Sequence, residues 1–338
     1  MRISDLVRPN IAKLLPYSTA RDEYKGELGV FLDANENPFP NGFNRYPDPR
    51  QLALKAKISQ LKGISVNRIF VGNGSDEAID LCFRIFCEPG KDNAIAICPS
   101  YGMYRVSADI NDVEMREVQL NDDFSLPLER LLQVADERSK LMFICSPNNP
   151  TGNCFCREDI MKIVSEFCGM VVVDEAYIDF ADSASLLALD EEMPENLIVL
   201  QTMSKAYGMA GLRMGLAFGS EEVMGLFANV KYPYNINSAG MNEAFKLLER
   251  DVKKEIDIIK SERGRVAEEL AKRENVLRVY PSDANFLLVK VDDADATYQR
   301  LIEKKVIVRN RTKVKGCEGC LRITIGTPEE NDILLDSI

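Results

Sequence analysis

Residues 197–213 read Leu197-Ile198-Val199-Leu200-Gln201-Thr202-Met203-Ser204-Lys205-Ala206-Tyr207-Gly208-Met209-Ala210-Gly211-Leu212-Arg213. A short continuous apolar run passes straight into a turn rich in hydroxyls and glycine. Four other runs have the same character: Ile69-Phe70-Val71, Ala94-Ile95-Ala96-Ile97, Leu141-Met142-Phe143-Ile144 and Val171-Val172-Val173. Several are separated by helix-period stretches. One starts at Ser75 and places Ala78, Ile79, Cys82, Ile85 and Phe86 on one face. Strands that are apolar throughout are buried on both sides, as in a mostly parallel sheet covered by helices. The pattern predicts an α/β domain.

Outward from this core the character changes twice. Residues 1–40 hold four prolines and no periodic pattern, and read as an arm. Beyond Tyr232-Pro233-Tyr234-Asn235 a charged, helix-rich segment covers 238–273. Candidate strands follow at 276–279, 286–290, 306–308 and 321–325, with a helix around 295–304. That order predicts a smaller α+β domain, giving an arm 1–40, a large domain 41–235 and a small domain 236–338, which part of the arm completes.

Composition narrows the chemistry. The 338 residues include 42 basic and 53 acidic side chains, a net charge of −11, which disfavours nucleic acid or an anionic membrane as partner. An anionic ligand would need a few placed arginines to overcome that field locally. Histidine is absent, which removes Ser-His-Asp and Cys-His catalysis, His-ligated metals and imidazole proton transfer. No run approaches the roughly 18 apolar residues of a membrane span, and the start carries no apolar signal core, so a cytoplasmic location is expected. Nine scattered cysteines fit a reducing compartment. Cys154 with Cys156 and the C-x-x-C pair Cys317 and Cys320 raise metal or redox chemistry. A second C-x-x-C is lacking, however, and the latter pair runs into the strand-like Leu321-Arg322-Ile323-Thr324-Ile325, so core packing is the expectation.

Four segments fall at the C-terminal ends of candidate strands, where open α/β sheets bind ligands. Val71-Gly72-Asn73-Gly74-Ser75-Asp76-Glu77 turns tightly into a helix whose free N–H groups suit a phosphate, although an ordinary capped turn fits too. Ser146-Pro147-Asn148-Asn149-Pro150-Thr151-Gly152 is a proline-stiffened turn. Val173-Asp174-Glu175-Ala176-Tyr177 ends a strand in a carboxylate that needs a cationic partner if buried. In the opening stretch, Lys205 becomes a Schiff-base nucleophile if it is shielded from water near other cations. Taken together the four meet the demands of pyridoxal phosphate: a lysine for its aldehyde, a carboxylate for its ring nitrogen, donors for its phenolic oxygen and a cup for its phosphate.

The order of phosphate turn, Asn-Asn-Pro-Thr-Gly, Asp-x-x-Tyr, then Ser-Lys with a later arginine resembles the fold-type I aminotransferases. Further segments are similar to the histidinol-phosphate aminotransferase family nearly end to end. They are Leu14-Leu15-Pro16-Tyr17, Leu32-Asp33-Ala34-Asn35-Glu36-Asn37-Pro38, Asn44-Arg45-Tyr46-Pro47-Asp48 and Cys320-Leu321-Arg322-Ile323-Thr324-Ile325-Gly326-Thr327. The resemblance implies a mostly parallel seven-stranded sheet in the large domain and pyridoxal 5′-phosphate as cofactor. It implies that Lys205 forms the Schiff base and moves the proton between the substrate Cα and C4′, and that Asp174 pairs with the ring nitrogen. Tyr177 and Asn149 would hold the phenolic oxygen, and Tyr101 would stack on the ring. Ser75, Asp76, Thr202, Ser204 and Arg213 would bind the cofactor phosphate. Tyr46 would reach the site of a second subunit in a homodimer, while Tyr17, Arg309, Arg322 and Asn149 would bind substrate.

The implied reaction exchanges an amino group between L-histidinol phosphate and 2-oxoglutarate. A threonine-phosphate decarboxylase or an aromatic amino-acid aminotransferase would share the same cofactor chemistry and differ only in the substrate pocket. A non-catalytic pyridoxal-phosphate regulator would need a DNA-binding module, for which the proline-rich first 40 residues are too few. Ser146 stands where many of the family have asparagine, a departure expected to be neutral, and Asn35 matches no firm role.

Overall fold

The computed structural model describes residues 2–18 and 29–338, and among these it builds two sheets. The first contains β1 (Ile69–Asn73), β2 (Asn93–Cys98), β3 (Glu114–Gln119), β4 (Ser139–Cys145), β5 (Met170–Asp174), β6 (Leu197–Thr202) and β7 (Met214–Phe218), in the order β1-β7-β6-β5-β4-β2-β3. From β6 through β5, β4 and β2 to β3 the strands run parallel, and β7 runs antiparallel to both its neighbours. Successive side chains sort onto opposite faces. Leu141, Phe143 and Cys145 join one apolar cluster and Met142 and Ile144 the other, as Ile198 and Leu200 part from Leu197 and Val199. Two covered faces explain why these strands read as unbroken apolar runs.

The second sheet is antiparallel, with β8 (Val276–Val279), β9 (Phe286–Val291), β10 (Arg309–Asn310) and β11 (Cys320–Thr324) in the order β10-β11-β9-β8. Leu287, Val289, Leu321 and Ile323 pack with Val266, Leu270 and Leu301 in a cluster of its own. The helices supplying those last three residues, Lys253–Ala271 and Ala294–Glu303, lie where the sequence places helix-period segments.

Three strands differ from expectation. The one expected at 306–308 forms instead at Arg309–Asn310, since Val306 and Val308 pack into the small-sheet cluster as backbone paired with no strand and pairing with β11 begins at Arg309. β3 is an edge strand of charged residues in which only Met115 and Val118 are buried, too weak an alternation to stand out. β7, Met-Gly-Leu-Ala-Phe, is interrupted by a glycine that its position demands. A Cβ on Gly215 would lie 2.0 Å from the backbone carbon of Gly74 and 2.1 Å from the nitrogen of Ser75, so β7 must pass bare against that turn.

The cysteines are all free thiols. Cys317 and Cys320 sit in the apolar cluster beside the large sheet, and burial pushes their thiols up to about 12 and about 11, so both stay protonated at neutral pH. Among the described residues no helix is long and apolar enough to cross a membrane.

Candidate active site

The C-terminal ends of β1, β2, β4, β5 and β6 converge on one pocket, lined by Ser75, Asp76, Tyr101, Asn149, Asp174, Tyr177, Thr202, Ser204, Lys205 and Arg213. At the end of β1, Gly74 takes φ +74° and serves as N-cap of the helix Ser75–Phe86 without any side-chain cap, which leaves the first N–H groups free. Its backbone, at φ +74° and ψ 167°, is one that side-chain-bearing residues rarely adopt, and a Cβ there would also displace the Arg213 guanidinium, whose Nη2 would lie 2.6 Å away. Gly74 also donates its N–H to the carbonyl of Arg213 at 2.7 Å, and Arg213, itself at φ +54°, brings its guanidinium to 3.5 Å from the Asp76 carboxylate. Thr202 donates its hydroxyl to the Met214 carbonyl at 3.3 Å and accepts from the Ser204 N–H at 3.1 Å, which braces the turn leading to Lys205.

Asp174 forms the floor of the pocket. Its side chain is buried, and burial pushes its carboxyl up to about 6, against the pull of hydrogen bonds from the Tyr104 hydroxyl at 2.8 Å and the Ala176 N–H at 3.1 Å. Tyr104 belongs to the helix Met103–Ile110 and is fully buried between Phe143 and Tyr101. Sequence reading passed over it because a tyrosine on an apolar helix face looks like core. Tyr101 lies two residues before this helix, so helical spacing does not relate the two rings, and the sequence carries no signal that sets Tyr104 apart. Tyr101 itself donates to Asp76 at 3.0 Å.

On the opposite wall, the Asn149 amide donates to the Tyr177 hydroxyl at 3.2 Å, and Arg322 of β11 donates to the Asn149 carbonyl oxygen at 2.5 Å. Arg322 lies over the ring of Phe286, against which Tyr177 packs edge-on. The small sheet thereby reaches the large one at the pocket. Arg309 is the cross-strand partner of Arg322 and is exposed. The Asn149 loop is held by Asn148, which donates to the Pro99 carbonyl and to Thr151, and by Ser146, whose hydroxyl accepts from the Phe155 N–H at 3.0 Å. Ser146 therefore closes the loop and does not face the pocket chemistry.

Lys205 is exposed in the pocket wall, a correction to the expectation of a shielded amine. Partial burial is still the first cause lowering its pKa, followed by the charges of Arg322 and Arg213, with Asp174 and Asp76 opposing. Two expected residues lie elsewhere in the same chain. Tyr46 stacks on Tyr234 with ring centroids 4.4 Å apart and lines a separate cavity with Asn35 and Arg45, while Tyr17 lines another beside Pro49, Arg50 and Lys55.

Fold and pocket together define a fold-type I transferase of the aminotransferase class I and II family, which is matched over residues 32–338. The chain is 53% identical to the histidinol-phosphate aminotransferase of Parabacteroides distasonis, over 99% of this chain and 98% of that one. It is 51% identical to that of Christiangramia forsetii, over 98% and 96%. It thus belongs, within that family, to the histidinol-phosphate aminotransferases. Among solved structures, the histidinol-phosphate aminotransferase of Clostridium acetobutylicum superposes with a TM-score of 0.80 at 24% identity, covering 87% of this chain and 90% of the other. An L-threonine-O-3-phosphate decarboxylase from Porphyromonas gingivalis reaches 0.73 at 22%, covering 87% and 89%, so the fold alone does not separate the two activities.

The family works with pyridoxal phosphate, and the related structure from Sinorhizobium meliloti is a complex with it. The residues present fit that group. The pocket offers an amine, a buried carboxylate already bonded from behind by Tyr104, a hydroxyl and amide on one wall, and an uncapped helix start beside an arginine.

Proposed function

We propose that the chain exchanges an amino group between L-histidinol phosphate and 2-oxoglutarate, giving imidazole acetol phosphate and glutamate. The observation that carries this reading is Arg322, bonded to Asn149 in the wall of the Lys205 pocket, with Arg309 opposite it on β10. An arginine fork bonds phosphate or carboxylate in pairs, as one site serving both substrates requires. The relatives named above, sharing half their residues with the chain along its length, support the same substrate over threonine phosphate or an aromatic amino acid.

When bound, the cofactor supplies an electron sink for the pair left at the substrate Cα. In this reading the Nζ of Lys205 takes the Cα proton and delivers it at C4′ of the cofactor, and its lowered pKa keeps a fraction of the amine neutral for that task. Asp174 holds a proton on the ring nitrogen, oriented by Tyr104 and the Ala176 N–H. Tyr177 and Asn149 donate to the phenolic oxygen and Tyr101 covers the ring. The N–H groups of Ser75 and Asp76, with Thr202, Ser204 and Arg213, take the cofactor phosphate. Tyr17, Arg309, Arg322 and Asn149 bind the substrate anion, and a second subunit contributes Tyr46.

That last assignment makes the active unit a homodimer, which we place in the cytoplasm. Its support is the exposure of Leu15, Tyr17, Val30, Leu32, Phe39, Phe43 and Tyr232 along the arm and the adjoining loop, an apolar area a lone chain would leave in water. Sedimentation equilibrium should give twice the mass of one chain, and a single-chain mass at micromolar concentration would remove the shared site.

The substrate assignment is tested by an absorbance titration of the cofactor-loaded protein. L-Histidinol phosphate should bleach the visible cofactor band and 2-oxoglutarate should restore it. A band untouched by histidinol phosphate, yet bleached by phosphothreonine or an aromatic amino acid, would overturn the substrate and keep the cofactor chemistry.

A further inference from the structure

Five buried side-chain atoms find no hydrogen-bond partner among the described residues, and three of them, Arg311 Nε, Thr312 Oγ1 and Arg322 Nε, lie on the β10–β11 hairpin. Buried donors of this kind are rare and call for an acceptor. Arg311 plays no part in the roles assigned above. We propose that Arg311 is a specificity-determining residue, the third guanidinium of the substrate-anion site, favouring a doubly charged phosphomonoester over a singly charged carboxylate.

The register places it there. Arg309 and Arg322 are directly opposite on the two strands, and Arg311 follows Arg309 by two, with its N–H continuing the ladder to the Cys320 carbonyl at 2.8 Å. Strand side chains alternate, so the three arginines leave the hairpin on one face. The other face is committed: Val308, Leu321 and Ile323 are buried in the cluster of the small sheet. The arginine face is the one from which Arg322 reaches Asn149, and the charges of Arg322 and Arg309 and the phenol of Tyr177 all act on Arg311.

Charge supplies the second argument. Most arginines of this acidic chain are paired with a carboxylate or bonded to a carbonyl. Arg309, Arg311 and Arg322 form no ion pair among the described residues, and the one side-chain partner of Arg322 there is the neutral Asn149. Burial first, and then the two neighbouring guanidiniums, lower the pKa of Arg311, and no carboxylate beside it offsets them. An anion seated among three cations relieves that repulsion, and a dianion does so more than a monoanion. The two amino donors of the proposed reaction differ in this respect, since histidinol phosphate brings a phosphate dianion where glutamate brings a side-chain carboxylate. The inference rests on that reading of the substrates.

The test compares half-reactions of the cofactor-loaded protein with L-histidinol phosphate and with L-glutamate, for the parent, Arg311→Gln and Arg311→Lys. Arg311→Gln should raise KM for histidinol phosphate at least about tenfold more than KM for glutamate, and Arg311→Lys should recover part of the difference. Equal losses for the two donors, a larger loss for glutamate, or no loss for either would overturn the assignment. If the parent itself refuses histidinol phosphate, the proposed function fails, and inorganic phosphate then probes Arg311 independently. As a competitor of the glutamate half-reaction, phosphate should weaken at least about tenfold in Arg311→Gln, and undiminished inhibition would sink the role.

Discussion

Lys205→Ala is expected to lower amino transfer by at least about 10³-fold and to move the visible band of the bound cofactor to that of its free aldehyde. The size follows from the absence of a substitute. Among the described residues no second lysine lines the pocket, and the chain has no histidine. Burial pushes the Tyr177 hydroxyl far above its ordinary range, so it does not ionise near neutrality. Arg213 is engaged with the Asp76 carboxylate, and Asp174 is tied down by Tyr104 and the Ala176 N–H at the floor. Lys205→Arg should fail as badly, because it keeps the charge and loses the basic, nucleophilic amine. Single-turnover rates with glutamate, read from the cofactor band, measure both variants. Turnover within about tenfold of the parent in either one would remove Lys205 from the proton path.

The sequence disclosed what is local and repetitive. Apolar runs revealed β1, β2, β4, β5 and β6, because burial on two faces leaves no polar residue to break them. The ends of those same strands carried Asp174, Lys205 and Asn149, so finding the strands was nearly enough to find the pocket. Illegible were features fixed by a partner distant in the chain. β7 needs its glycine because of Gly74, some 140 residues earlier, and β3 is held only by β2 at the sheet edge. Tyr104 acquires its role from a carboxylate 70 residues on, and nothing in its own helix distinguishes it from core. Arg311 shares a face with Arg322 only through the register of a two-residue strand that the sequence places three residues too early. Tyr17 and Tyr46 line cavities away from Lys205 within one chain, a placement that depends on the course of the arm and not on any periodic pattern.

Asp174→Asn should separate stability from function. In the cofactor-free protein, burial raises this carboxyl from near 4 to about 6, so the folded chain binds a proton there that the unfolded chain releases. The stability drawn from that proton is full below the unfolded value and is lost as pH rises through about 6. A two-unit shift corresponds to about 3 kcal/mol, which the ionised carboxylate costs the empty enzyme at pH 8. Asparagine fills the same space, keeps an oxygen for the Tyr104 hydroxyl, gives up at all pH values the bond from the Ala176 N–H, and carries no charge, so it escapes the pH-dependent loss. Thermal unfolding of the cofactor-free parent and variant should therefore diverge between pH 5 and pH 8, with the variant melting several degrees higher at the upper pH. Comparing the two proteins at each pH cancels every other titrating group. The loaded variant should nonetheless transfer amino groups at least about 10²-fold more slowly, because a neutral amide does not hold a positive charge on the ring nitrogen. A variant no more stable than its parent at pH 8 would mean that Asp174 is solvated in the empty pocket. The opposite result would show an enzyme holding a destabilising charge in reserve for the cofactor that neutralises it.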